Sequence, residues 1–528
     1  PIRIQEDLVT GRNKRLDVFR NITSFDVSPD GNRAVFGARG DLFSVPAKYG
    51  ATRNLTATPG VHERDAQWSP DGRNIAYISD ATGEDEIYIR PQDGLGAPVQ
   101  LTKNGHVYKY APQWSPDSRK ILWADREQRL LYVDVATRQV TEVAHAAEWE
   151  IRQYVWSPDS LWIAFVKPEV ESQETLQLYS VASTLITPVT DGWFSVSHPT
   201  FSTDGKYLFF ESKRTFNPVS SETEFDYVYF DLGRIYFVTL ARDVKSPFEP
   251  KSDEVKITAS AKTDGKSGDT AKDEKKESKK EEKGGVTVKV DLEGIGERIA
   301  SLPIGASGYF GITALENKVY YLRNGHKEDK TRLLLYDLEK QKETELGEVS
   351  GYTISADNKK MLVNAEGGYA IMDLPTGRIE MKDKLNLGDM EIQLDRQAEW
   401  HQIFNECWRQ MRDFLFDPHM RGVDWSLMRT RYEPLVSHVE HRADLTYVIG
   451  EMIGELNIGH SYVGGGDYPK PERIKTGLLG AQIVKDPASK YFRIVKILKG
   501  QNWESSVRSP LTEIGVDAAE GDYITAVN

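Results

Sequence analysis

A short motif recurs along the first half of the chain and limits its fold more than any other feature. Trp68-Ser69-Pro70-Asp71-Gly72, Trp114-Ser115-Pro116-Asp117-Ser118 and Trp156-Ser157-Pro158-Asp159-Ser160 are close copies. Val27-Ser28-Pro29-Asp30-Gly31, Phe201-Ser202-Thr203-Asp204-Gly205 and Ile354-Ser355-Ala356-Asp357-Asn358 are looser ones. The serines at 28, 69, 115, 157 and 202 are spaced by 41, 46, 42 and 45 residues. Proline presets φ inside a turn, and Asp and Gly tolerate its close. An aromatic residue ends one strand before each turn. Apolar runs such as Asn74-Ile75-Ala76-Tyr77-Ile78 and Lys120-Ile121-Leu122-Trp123 begin the next. A third, alternating strand follows, as in Glu86-Ile87-Tyr88-Ile89, and units end near Leu55-Thr56, Leu101-Thr102 or Val189-Thr190. A four-stranded unit of this period is the signature of a β-propeller blade, which must stack on neighbours around an axis to bury both faces.

Five units run from about Thr23 to Val244, and the sixth anchor, Ser355, lies 153 residues beyond Ser202. Residues 251–285 occupy part of that gap. They include Lys272-Asp273-Glu274-Lys275-Lys276-Glu277 and Lys279-Lys280-Glu281-Glu282-Lys283 and have no aromatic residue, a composition that predicts a disordered charged insertion. Residues 286–292, 318–322 and 333–338 read as strands of a blade that has lost its turn motif. The count is seven blades, with six or eight left open.

The net charge of −13 and pI near 5.4 argue against nucleic-acid binding, and the insertion's acids and bases nearly cancel. One cysteine, Cys407, excludes a disulfide framework. No stretch of about 18 apolar residues reads as a membrane span. The chain begins with Pro1 and reads as a processed or excised piece.

From Asp395 the period becomes helical. Trp400, Ile403, Phe404, Cys407, Trp408, Met411, Phe414 and Leu415 fall three and four apart and predict a helix that Asp417-Pro418 ends. A second helix carries Trp425, Met428, Tyr432, Leu435 and Val436 on one side. Asp444 can cap a third, with Leu445, Val448, Ile449, Met452, Ile453 and Leu456 on its apolar face. The third helix runs into Asn457-Ile458-Gly459-His460-Ser461-Tyr462-Val463 and three glycines, 464–466. His460 follows a helix end and precedes an expected short strand, 461–463. A histidine held at such a junction can face a cleft and serve as general base, because imidazole titrates near neutrality. Spacing alone favours the plainer reading, a histidine that only bonds a carbonyl. Gly459-His460-Ser461-Tyr462-Val463 approaches the Gly-x-Ser-x-Gly nucleophile elbow but has Val463 for the second glycine and a helix where a strand is required. His401, His419, His438 and His441 form no metal-binding pattern, and no metal or cofactor is expected.

The last segment opens with Thr476-Gly477-Leu478-Leu479-Gly480, continues through apolar runs at 492–498 and Ser509-Pro510-Leu511, and ends in Gly521-Asp522-Tyr523-Ile524-Thr525-Ala526-Val527-Asn528. It resembles the N-terminal part of a PDZ domain. Gly477, Leu478, Leu479 and Gly480 then match the loop whose backbone N–H groups hold a peptide carboxylate.

A propeller, a small helical domain and a PDZ domain in this order resemble tricorn protease and its bacterial homologues, serine peptidases related to the C-terminal processing proteases. The more specific residues are Phe416-Asp417-Pro418-His419-Met420-Arg421-Gly422-Val423-Asp424-Trp425 and Gly454-Glu455-Leu456-Asn457-Ile458-Gly459-His460-Ser461. The resemblance implies a mainly β fold: a seven-bladed propeller over 1–390, a helical catalytic subdomain over 391–469, and an incomplete PDZ domain over 470–528. It implies that His460 is the catalytic histidine, that peptides are the substrates, and that the propeller filters or channels them. It places the nucleophilic serine beyond Asn528, so the chain alone is expected to be inactive. It also implies a homo-oligomer of the full-length enzyme and a cytoplasmic location, or a periplasmic one if a signal peptide was removed. The archaeal pattern has a serine directly before the histidine, where this chain has Gly459. Two other classes compete: a non-catalytic propeller–PDZ module that binds peptide C-termini, and a prolyl-oligopeptidase-type hydrolase, whose α/β-hydrolase domain has no counterpart here.

Overall fold

The computed structural model describes residues 13–216, 218–220, 227–249, 285–468 and 472–527, so the expected insertion lies, but for Gly285, outside the described residues. The chain divides into two compact units after Gly464. The first holds the propeller and the helices together.

Seven antiparallel sheets follow one another among the described residues. The first comprises Ile22–Val27, Arg33–Ala38, Asp41–Pro46 and Arg53–Asn54. The others span 63–100, 113–145, 154–188, 196–301, 309–348 and 351–373. Six have four strands and the seventh has three, Gly351–Ile354, Lys360–Ala365 and Gly368–Asp373. Among the described residues its outer edge is met by Lys384, bridged to Ala370, and by the Leu385 N–H on the Tyr369 carbonyl at 2.7 Å.

Each sheet buries one face against the next. Val35 and Leu42 of the first meet Trp68, Ile75 and Tyr77 of the second. The series continues around to Leu362 of the seventh, which packs with Val27, Ala34 and Phe36 of the first. The ring is therefore closed by side-chain packing. A separate ribbon reinforces that seam: Asn13–Asp17 pairs antiparallel with Glu391–Asp395, with Leu16 opposite Ile392.

The recurrent motif has one mechanical role throughout. In all six copies the serine hydroxyl donates to the aspartate two residues on, at 2.5–2.7 Å, from Ser28–Asp30 to Ser355–Asp357. The same oxygen accepts the backbone N–H five residues on, for example that of Lys120 at 2.9 Å from Ser115. The fifth position is left-handed, with φ of +71° at Gly31, +74° at Gly72, +60° at Ser118 and +62° at Ser160. Glycine reaches that region without strain. Serine stands there in two copies, and its hydroxyl accepts a backbone N–H from the preceding blade: Ser118 from Asp71 and Ser160 from Asp117, each at 3.1 Å.

Two strand expectations are corrected. Residues 286–292 form no strand, although Val286-Thr287-Val288-Lys289-Val290 alternates. Ile299–Ser301 takes the outer position of the fifth sheet, so Val288 instead plugs the core between the fourth and fifth sheets and donates its N–H to Asp159 at 2.8 Å. The interruption at 251–284 thus falls between the third and fourth strands of one sheet. Residues 461–463 likewise form no strand.

Three helices follow: α1 (Arg396–Phe414), α2 (Trp425–Val436) and α3 (Arg442–Gly454). Asp395 caps α1 by accepting the Ala398 N–H at 3.1 Å. Asp424 caps α2 through the Leu427 N–H at 2.9 Å. The cap of α3 is His441 rather than Asp444: its ring accepts the Ala443 N–H, while Asp444 reaches back to the His441 N–H, each at 3.1 Å. The helices share a core of Trp400, Phe404, Trp408, Trp425, Ile449 and Met452. Trp408 and Trp425 each donate an indole N–H to the other's carbonyl, at 2.8 and 3.0 Å. Leu435, read as a core position, is 46% exposed, because the short α2 presents Val436 inward instead.

The second unit contains an antiparallel sheet of Ala481–Lys485, Phe492–Ile497 and Tyr523–Ile524, and the short 3₁₀ turns Ser505–Val507 and Pro510–Thr512. No helix among the described residues is long and apolar enough to cross a membrane.

Candidate functional site

In this up-and-down sheet pattern the Ser-Pro-Asp turns occupy one end of the propeller. The hairpins between second and third strands, and the links between sheets, occupy the other. Helix α1 lies on that second end. Arg39 meets Glu399 at 2.8 Å, and Arg412 grips Glu84 with two bonds at 2.6 and 2.8 Å. Arg409 reaches Asp80 at 2.5 Å and the Gly83 carbonyl at 2.8 Å. Asp413 accepts the Tyr108 N–H at 2.8 Å, and Phe414 packs edge-on against the Tyr108 ring. The charges in this joint are paired. Burial is the largest influence on the Glu406 carboxyl and raises it, but the Arg409 guanidinium and the Gln410 amide bonded to it together hold it below its usual range.

Glu63, at the first strand of the second sheet, lies under the joint. It is 4% exposed, one oxygen accepts the Thr58 hydroxyl at 2.5 Å, and the other has no partner among the described residues. Burial pushes its carboxyl up to about 8, with Asp41 and Asp80 adding to the effect. A cavity of about 330 Å³ opens nearby, lined by Thr58, His62, Glu399, Ile403, Glu406 and Cys407 among others. Burial pushes the Cys407 thiol up to about 11, the reverse of what an activated nucleophile needs. His460 is not part of this cavity.

His460 sits beyond α3 on a loop fixed at both ends. Leu456 is buried, and Ile458 and Val463 pack against the helical core. Between them the chain turns sharply: Asn457 and His460 are both left-handed, with φ of +48° and +57°. Such a conformation costs a non-glycine residue of order 1–3 kcal/mol and is kept where the surroundings impose it. The imidazole is exposed, and its recorded polar contact among the described residues is the Tyr462 hydroxyl, 3.4 Å from Nδ1. No serine oxygen is recorded against it. Ser461 is half-buried and has no recorded hydrogen bond, and a helix rather than a strand leads into the segment.

The loop of the second unit is open. Leu478 is 82% and Leu479 43% exposed. Among the described residues the N–H groups of Gly477, Leu478 and Leu479 have no recorded acceptor. Gly480 has φ of +70°, and a Cβ there would lie 2.6 Å from the Ser509 hydroxyl, so the close approach of those two segments requires glycine. The Gly480 carbonyl accepts the Leu498 N–H at 2.8 Å and the Ser509 hydroxyl donates to the Leu498 carbonyl at 2.6 Å, which ties the loop's end to the sheet. No group of three or more potential metal ligands occurs among the described residues.

Sequence reasoning singled out His460 and the glycine loop as candidates and gave no sign of the Asp80–Arg409 joint, whose partners stand 329 residues apart.

Known proteins give the arrangement its context. Residues 22–375 match the tricorn protease second β-propeller domain, 396–454 the tricorn protease C1 domain, and 477–528 the tricorn protease PDZ domain. Tricorn protease homolog 1 of Streptomyces coelicolor is 30% identical over 531 residues, covering 95% of this chain and 48% of that protein. The tricorn protease homolog of Saccharolobus solfataricus is 26% identical over 544 residues, covering 100% and 47%. The chain thus spans about half the length of these curated relatives. The crystal structure of the tricorn protease superposes with a TM-score of 0.79 at 19% identity, over 98% of this chain and 48% of that one, which establishes a shared fold. With the same three domains in the same order, the chain belongs to the tricorn protease family.

Proposed function

We propose that these residues form the propeller, histidine and PDZ part of a serine-type peptidase, with His460 as general base. The observation that carries the reading is the loop 457–463: it holds an exposed imidazole in a left-handed turn clamped by Ile458 and Val463, in a chain that belongs to a peptidase family. A serine hydroxyl outside these 528 residues attacks the scissile carbonyl. His460 Nε2 takes its proton, and the imidazolium then protonates the departing amine as the acyl-enzyme forms. Water repeats the sequence in reverse to release the acid. The 528-residue chain on its own is inactive in this reading.

The propeller acts as the substrate filter. In support, the end that receives α1 also carries loops with exposed aromatic side chains, Trp149 at 66%, Trp193 at 78% and Phe216 at 67%. Those are surfaces on which an unfolded polypeptide can rest apolar side chains. The PDZ loop 477–480 holds the chain's carboxylate with its free N–H groups. Those free groups equally favour a second reading, a binding module for peptide C-termini without catalysis.

A serine-directed fluorophosphonate separates the two. A longer polypeptide, extended to the relatives' length, is labelled and loses peptidase activity, whereas the 528-residue chain is not labelled. Labelling of Ser461 in the shorter chain, or failure to label an active longer one, overturns the proposal.

A further inference from the structure

Glu399, Gln402, Ile403, Glu406 and Cys407 fall three and four apart in sequence and share one face of α1. That face does not close fully on the propeller: all five residues line the cavity of about 330 Å³. The propeller loop opposite arches over the space. Ala57 and Gly60 are both left-handed, with φ of +49° and +76°, and Pro59 stands between them. Gly60 touches the first turn of α1, where an added Cβ would lie 3.0 Å from the Ala398 Cβ and carbonyl oxygen, so the arch meets the helix at its end. Ile392 and Leu394 of the ribbon strand Glu391–Asp395 form a third wall. All three walls belong to the first compact unit.

The lining divides by chemistry. Ile392, Leu394 and Ile403 give it an apolar side. The charged groups are mostly acidic: Asp41, Asp395, Glu399 and Glu406 stand against Arg39. Arg39 pairs with Glu399, Arg409 neutralises Glu406, and Asp395 caps α1. Asp41 is 8% exposed and is held by neutral donors, the Asn54 amide at 2.6 Å and the Thr56 hydroxyl at 3.3 Å. Thr58, also in the lining, donates to Glu63 behind it, whose second oxygen has no partner among the described residues. Burial pushes both the Asp41 and the Glu63 carboxyls up, and Asp41 adds to the effect on Glu63. Such a wall carries negative charge at a cost and gains from a cation beside it.

We infer that this cavity binds a small organic ammonium ion with an apolar body, which rests on Ile392, Leu394 and Ile403 and turns its ammonium to the acidic wall at Asp41 and Glu399. Its size is that of a small-molecule site, and apolar walls with a few placed polar groups are the usual lining of one. A cation leaves water for such a space only where carboxylates replace its hydration. The acids are spread around the wall and do not gather into a metal-ligating group among the described residues, which favours an organic cation. The occupant touches the arch, the ribbon and α1 at once and so braces the joint. This site is separate from the loop of His460 and does not depend on its role. A free amine and the amino terminus of a peptide present the same head.

The chain's one cysteine, Cys407, lines the site, so its reactivity reports occupancy. In the 528-residue chain, phenethylammonium is expected to slow modification of Cys407 by a pyridyl disulfide several-fold and saturably, and to raise the melting temperature. Phenethyl alcohol and phenylacetate, which share the apolar body, are expected to do neither. Calorimetry then follows the ammonium in two variants. Ile403→Trp fills the space and abolishes binding. Glu399→Gln keeps the shape and weakens binding by at least about ten-fold, as loss of a hydrogen bond to a charged group does. Phenylalanyl-glycine amide and its N-acetyl form separate the two sources. Protection by the first and not the second assigns the site to a peptide's amino end, protection by phenethylammonium alone assigns it to a free amine, and either supports the ammonium site. No saturable protection of the parent chain by phenethylammonium, or equal protection by the alcohol or the carboxylate, overturns the inference.

Discussion

Arg409 donates to Asp80 across the joint between helix α1 and the second propeller sheet, at 2.5 Å and with both side chains under 10% exposed. Asp80 also accepts the His62 N–H at 2.7 Å and the Gln402 amide at 3.1 Å, so one carboxylate gathers the propeller's loops and the helix. The subdomain that carries His460 is therefore held on the propeller by specific charge pairing, the Arg409–Asp80 pair buried, with the Phe414–Tyr108 ring contact beside it.

Removing one partner of a buried pair leaves the other charge unpaired, which typically costs about 3–5 kcal/mol. Arg409→Ala is expected to destabilise the first unit by that amount in chemical denaturation, and to raise hydrogen exchange in 396–414 before the sheets respond. Exchange rising equally in the third and fourth sheets would show that the joint does not divide the unit.

Glu63 predicts a pH dependence. In the unfolded chain its carboxyl ionises from the ordinary value of 4.5, and in the folded chain only toward about 8. The folded state keeps the proton over that window, so the stability this group contributes is complete below pH 4.5 and is lost as pH rises toward 8. Glu63→Gln should melt higher than the parent at pH 8.5, and the gain should shrink as pH falls toward 4.5. A gain that is constant with pH would remove the ionisation from the account.

The turn motif can be tested one atom at a time. Ser115→Ala leaves the half-buried Lys120 N–H without its acceptor and releases Asp117, a loss of about 1–3 kcal/mol. Ser118→Gly loses the inter-blade bond to Asp71 but relieves a φ of +60°, so its cost is the smaller of the two. Paired denaturation curves of the two variants decide the order.

His441→Ala removes the N-cap of α3 and is expected to cost about 0.5–2 kcal/mol. Because α3 leads into the loop of His460, exchange protection at 442–446 should fall while His438→Ala leaves it unchanged.

The propeller was legible because its turns need particular residues: a serine to bridge, an aspartate to close, and glycine or serine at a left-handed position. Asn358 and Ser160 show that this last position tolerates substitution and still forms the turn. The sixth sheet escaped the motif, since its hairpin closes with Leu315 donating to the Lys318 carbonyl instead. Val286-Thr287-Val288 misled because alternation reports a side chain's two faces and not whether a sheet edge is free to pair. The cap of α3 was read as Asp444 because a histidine cap leaves no signature of its own beyond the acid three residues on. The Asp80–Arg409 joint depends on tertiary placement, which periodicity does not carry. His460 was nominated through the helix that ends before it and a family resemblance, not through spacing.

The central claim is that His460 takes the proton from the attacking nucleophile. The direct measurement is turnover of a fluorogenic peptide by the longer enzyme and its His460→Ala variant, alongside their melting temperatures. The account predicts a fall in kcat of at least about a hundred-fold with the melting temperature unchanged, because the side chain is exposed and packs against no core. Near-parental turnover in a folded His460→Ala enzyme would contradict it.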